Sequence, residues 1–155
     1  MSAIDTIASE WERARRGSLE FIDSIPEEHL SFRPSPESMT FAEQYLHVAE
    51  ANYIFGAAAC GRENPNTVKD AEAKAVLKAT RAALRGFVCA SYDFIVNSVR
   101  QMEPASTEES ATFFGQAMPR QLILAKALEH HAHHRGQTAV YFRINRLNPP
   151  SERLF

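Results

Sequence analysis

Four of the chain's six histidines sit within Leu128-Glu129-His130-His131-Ala132-His133-His134-Arg135-Gly136-Gln137. Imidazole near neutral pH is both an acid–base group and the commonest nitrogen ligand of first-row metals, so the cluster offers two chemistries. Which rings can act together depends on the element that carries them. From Pro119 to Leu147 apolar residues recur at helical spacing with Gly136 the one internal breaker, which predicts a helix. With His130 set at zero and about 100° per residue, His134 falls at about 40°, Ile123 and Tyr141 near 20°, Gln137 at about 340°, Ile144 at about 320° and His133 at about 300°. His131 falls at about 100°, on the side of Leu124 and Phe142. His130 and His134 therefore share the apolar face one turn apart, where their ring nitrogens can meet a single ion.

A third ligand has to come from another element. His47, in Tyr45-Leu46-His47-Val48-Ala49, is the one histidine on a second expected helix, and its apolar setting lets it face the pair. Three neutral imidazoles suit zinc, nickel, copper or ferrous iron and leave at least one position open, as catalytic metals require. A cation so held lowers the pKa of water, activates a thiolate or polarises a carbonyl. Glu43, Glu50 and Gln137 have the spacing to accept the outer N–H of a ligating ring. Against this, a lone buried histidine such as His47 is more often a hydrogen-bonded core residue than a ligand. The pair is harder to dismiss, because two imidazoles on one core face each need a polar partner. His133 is open between fourth ligand, support for a ligand and pocket rim, while His131 and His29 are expected in solvent. Tyr141, Ile123 and Ile144 are expected in the core, and Cys60 and Cys89 as small buried hydrophobes.

Four helices account for the positioning. Ile4, Ile7, Trp11, Ala14, Ser18, Phe21, Ile22 and Ile25 recur at three and four and mark the first, which stops before Pro26. Three prolines and three serines between Pro26 and Met39 make a connector. Thr40-Phe41-Ala42-Glu43 is a capping box that starts the second helix, and Gly61 ends it near Cys60. The third is written as one helix from Val68 to Met102, with Gly86 a place for close packing or a bend. Ala105 to Met118 has no clear period and, with Phe113-Phe114-Gly115, reads as a lid. The fourth helix closes at Asn148-Pro149-Pro150. With no strand pattern, the expectation is an all-α four-helix bundle forming a single domain, residues 1–155.

Seventeen basic and 19 acidic residues give a net charge of −2 without long runs of either sign, which argues against direct nucleic-acid binding. No apolar stretch reaches the roughly 20 residues of a membrane span. Two cysteines do not make a disulfide framework and the first dozen residues do not read as a secretory signal, so the expected location is cytoplasmic.

Glu129-His130-His131-Ala132-His133-His134-Arg135-Gly136-Gln137, with a lone helix-two histidine in Glu43-Gln44-Tyr45-Leu46-His47-Val48-Ala49, resembles the DinB superfamily of bacterial damage-inducible, metal-binding proteins, unrelated to the polymerase of similar name. The resemblance implies a DinB-like bundle of up-down-down-up topology, a metal triad of His47, His130 and His134, and a divalent ion: zinc or nickel first, iron or manganese next. It implies a metal-dependent thiol S-transferase or hydrolase taking a small-molecule thiol and an electrophilic substrate, and a homodimer. The alternative is a non-catalytic metal-binding or stress-response interaction module. Leu124, Leu128 and Phe142 form a second apolar stripe that another helix or a partner chain must cover. Arg120, Arg135 and Arg143 are available for a thiol's carboxylates, but spacing gives none of them a facing.

Overall fold

The computed structural model describes residues 2–154. Its elements are α1 (Ala3–Ser24), α2 (Phe41–Cys60), α3 (Ala71–Ala79), α4 (Arg81–Arg100), β1 (Ser110–Phe113), β2 (Gln116–Pro119) and α5 (Arg120–Ile144), with short 3-10 turns at Glu27–His29 and Pro104–Glu108. The capping box forms as its sequence dictates: Glu43 N–H donates to Thr40 Oγ1 at 3.1 Å, and Thr40 N–H to Glu43 Oε2 at 2.8 Å. Gly61, at φ 63°, ends α2 in the left-handed region that glycine enters without a side-chain clash.

The four long helices pack around one interior, α1 on α4, α4 on α2, α2 on α5 and α5 back on α1. Trp11, Ile22, Phe41, Tyr45, Leu84, Ile95, Ile123 and Phe142 fill it. The apolar stripe of Leu124 and Phe142 is covered within the chain, since Phe142 meets Phe21 of α1 edge-on at 5.6 Å. No partner chain is needed to cover it. Ile144, expected in the core, ends α5 two residues past buried Phe142 and is 52% exposed.

The long third helix is two. At Thr80 the backbone turns extended (φ −137°, ψ 153°), and the Thr80 hydroxyl accepts from Ala83 N–H at 3.2 Å to cap α4. Arg81 then clamps the new start to the end of α1, its Nε donating to Ile22 O at 3.1 Å and its backbone N–H to Glu27 at 2.9 Å. Gly86 is not the bend; it lies inside α4, with nothing within 4 Å of where a Cβ would stand. The fold is mostly helical rather than all-α, because the connector after α4 closes as an antiparallel hairpin from Ser110↔Pro119 to Phe113↔Gln116. Phe114 (φ 47°) and Gly115 (φ 77°) form its two-residue turn, whose positive φ values match the twist of a tight hairpin. Ala111, Phe113 and Met118 turn towards the core. Among the described residues no helix is long and apolar enough to cross a membrane.

Candidate metal centre

Packing of α2 on α5 brings His47, His130 and His134 together. His130 Nε2 lies 3.1 Å from His47 Nε2 and 3.1 Å from His134 Nε2, and one ligand atom from each ring lies within 4.8 Å of the other two. A separation near 3 Å is the edge expected between two nitrogens each about 2 Å from one cation. Burial lowers the pKa of all three rings, that of His134 to about 4, so each presents a lone pair at neutral pH. Against burial, Glu50 raises the His47 value, while Lys74 lowers it.

Protons alone satisfy this arrangement poorly. His134 Nδ1 is hydrogen-bonded to Gln44 Oε1, which places the ring proton on Nδ1 and leaves the Nε2 lone pair aimed at His130. A single proton on His130 Nε2 serves one neighbour well and not both. His130 Nδ1, buried, has no partner in either tautomer. Three unprotonated imidazoles whose ring nitrogens converge at this spacing fit a divalent metal.

Gln44 is the orienting residue that sequence reasoning missed. Its Oε1 accepts from His134, and its Nε2 donates to Gln137 Oε1 at 2.7 Å and Tyr141 Oη at 3.0 Å. Tyr141 Oη donates onward to Met39 O at 2.7 Å. The available signal was position, since Gln44 precedes His47 by three residues and shares its helix face. Of the expected supports, Gln137 acts one step out, through Gln44. Glu43 is spent on the α2 cap, Arg33 and Lys78, and Glu50 pairs with Lys74 at 2.5 Å.

The other histidines separate cleanly. His133 is exposed, in contact with Gln137 Nε2 at 2.6 Å, and not among the converging rings. His131, expected in solvent, is 2% exposed: it packs edge-on against Trp11 at 5.0 Å and hydrogen-bonds Tyr92 Oη at 3.1 Å, because α1 and α4 cover that face. His29 is half-buried against Phe32. Neither cysteine is a fully buried hydrophobe. Cys60 is half-buried, with burial pushing its thiol up to about 11, and Cys89 accepts from Arg15 at 2.9 Å.

A pocket of about 440 Å³ opens beside the triad, with His47 and His130 in its wall. None of the three arginines lines it. Arg120 donates to Ala59 O, Arg135 lies over Gly17 of α1, and Arg143 borders a separate groove near Pro149.

A model of the DinB family matches residues 1–150. The uncharacterised protein YjoA of Bacillus subtilis is 22% identical over 149 residues, 92% of this chain and 91% of YjoA. Among solved structures, a DinB-like protein of Bacillus cereus superposes with a TM-score of 0.81 at 18% identity, covering 96% of this chain and 97% of that one. The DinB-like YjoA structure from Bacillus subtilis gives 0.73 at 23% identity over 94% and 96% of the two chains. A conserved protein of Enterococcus faecalis gives 0.71 at 18% over 92% and 96%. At these identities the solved structures are a likeness of fold.

Proposed function

The chain belongs to the DinB family, and from that premise we propose that it holds a divalent metal on His47, His130 and His134 and uses it to transfer a small-molecule thiol to an electrophile, or to hydrolyse one. The observation that carries this reading is the convergence of the His47 and His134 Nε2 atoms on His130 Nε2. An all-imidazole set suits zinc or nickel ahead of iron, and iron ahead of manganese. Such an ion supplies Lewis acidity that lowers the pKa of a thiol or water at its open position. The chain's own residues do the rest. Gln44 fixes the tautomer and tilt of His134, and burial keeps the rings unprotonated. Glu50 is the one carboxylate among the described residues of the pocket wall, and it is held there in an ion pair with Lys74. The proposal extends to residues 1–155 acting as one domain, the long helices as an up-down-down-up bundle. It includes pairing of two chains through the α5 surface where Leu122, Val140 and Ile144 are exposed. The unpaired thiols of Cys60 and Cys89 fit a reducing compartment.

Metal content, zinc affinity and molar mass of untagged protein test this beside His47→Ala and His130→Ala. The wild type should carry about one ion per chain, with affinity lowered at least 100-fold in either variant. Equal binding in all three sinks the metal reading. His134→Ala should abolish metal-dependent thiol transfer to a test electrophile while helicity survives. Loss of metal and helicity together would mark a structural ion and favour the non-catalytic reading, because structural metals contribute folding free energy directly.

A further inference from the structure

The pocket beside the histidines has a wall that metal binding leaves unused. One side is the segment between α2 and α3. There Asn64 Oδ1 accepts from Asn66 N–H at 2.9 Å, and Asn66 Oδ1 accepts from Val68 N–H at 2.9 Å. Each side-chain oxygen thus already accepts one backbone N–H, and each asparagine keeps the two donors of its NH₂ group. Lys69 follows, with no carboxylate within ion-pair reach among the described residues, whereas Lys74 is neutralised by Glu50. This rim offers hydrogen-bond donors and one uncompensated positive charge.

The rest of the lining is largely apolar. Ile54 and Phe55 of α2 contribute to it with Val68 of the segment itself, and Phe114 reaches it from the hairpin tip. Phe114 is held at φ 47°, a region a bulky side chain enters only under strain, and it is 82% exposed. Strain and an uncovered aromatic ring are two separate costs, and neither contributes to the helical core. Phe113 beside it already does the packing, its ring tilted against Phe55 at 4.5 Å. A ligand that covers Phe114 recovers apolar burial at that position. The volume, about 440 Å³, falls within the roughly 300–1,000 Å³ of small-molecule sites.

We propose that this pocket binds a small amphipathic anion, its charged head at Lys69 and the amides of Asn64 and Asn66 and its apolar body between Phe114, Ile54 and Phe55. We assign this ligand to the electrophile, whose apolar body the apolar part of the wall would cover. That assignment rests on the metal reading; the binding itself does not.

Octanoate, 1-octanol and octylamine, titrated calorimetrically into chelator-treated and zinc-loaded protein, test it. Octanoate should bind the chelated protein at least tenfold more tightly than octylamine. Lys69→Gln should weaken octanoate at least fivefold and leave octanol within twofold. Phe114→Gly, which also relieves the strained turn, should weaken both. Equal affinities for octanoate and octylamine, equal effects of Lys69→Gln on octanoate and octanol, or no loss in Phe114→Gly would each overturn the proposal. Binding of octanoate to the zinc-loaded protein alone would overturn it too, and would leave the metal reading intact. Octanoate binding in a protein without zinc affinity would do the reverse.

Discussion

At the level of single residues, Gln44 is the pivot of the site. It contacts His134, Gln137 and Tyr141 at once, so its side chain sets the tautomer of His134 and ties α2 to α5. Removing a group that orients a metal ligand costs roughly 10–100-fold in affinity. Gln44→Ala should therefore lower zinc affinity by that factor with the circular dichroism spectrum unchanged; an affinity within twofold of wild type would exclude the orienting role. The triad was legible in the sequence because helical phase is local: His130 and His134 had to share a face. His131 shows where that stops. The same phase placed it with Leu124 and Phe142, and both of those are buried, yet phase within one helix does not say which faces others cover. The partners that settle the matter, Trp11 and Tyr92, lie on α1 and α4.

Elements were legible where a residue type forces the backbone and illegible where tertiary contacts do. The Thr40 capping box and Gly61 stop announced α2. The break at Thr80 did not stand out, because Ala79-Thr80-Arg81 contains neither glycine nor proline and Arg81 is held by carbonyls at the end of α1. The hairpin was hidden by a phenylalanine where Asn or Asp usually precedes glycine. The helical glycines make a test of how closely elements approach. A Cβ on Gly56 of α2 would stand 3.0 Å from Ile95 Cγ1 and 3.2 Å from Phe94 Cε1 of α4, whereas Gly86 and Gly136 face open space. Gly86→Ala and Gly136→Ala should each stabilise by up to about 1 kcal/mol, from helix propensity alone. Gly56→Ala should destabilise by about 1–3 kcal/mol, because buried Ile95 has no room to yield. Urea midpoints at constant slope check this, and a stabilised Gly56→Ala protein would show the α2–α4 approach to be looser than 3.0 Å.

For the molecule as a whole, the histidines couple stability to pH. Burial holds His131 well below its ordinary value, brings His134 to about 4, and lowers His47 and His130. Between 6.5 and about 4 the metal-free folded chain therefore binds fewer protons than the unfolded one. Its stability should be level with respect to these groups above pH 6.5 and fall as pH drops through that window. Lowered carboxylates such as Glu43, held by the Thr40 N–H, add their loss only below about 4.5. The melting temperature of chelated protein should accordingly drop between pH 7 and pH 5, before carboxylates titrate; a flat profile over that range would contradict the buried, neutral histidines. One further consequence comes from where the pocket's parts are anchored. The converging imidazoles are fixed on α2 and α5, while the donor rim and the aromatic cover sit on the 61–70 segment and a hairpin tip, outside the helical core. Surface segments of this kind accept substitution and insertion at little cost to the fold. Descendants of such a chain can rewrite a dozen or so surface residues of the pocket wall and inherit the histidine cluster untouched.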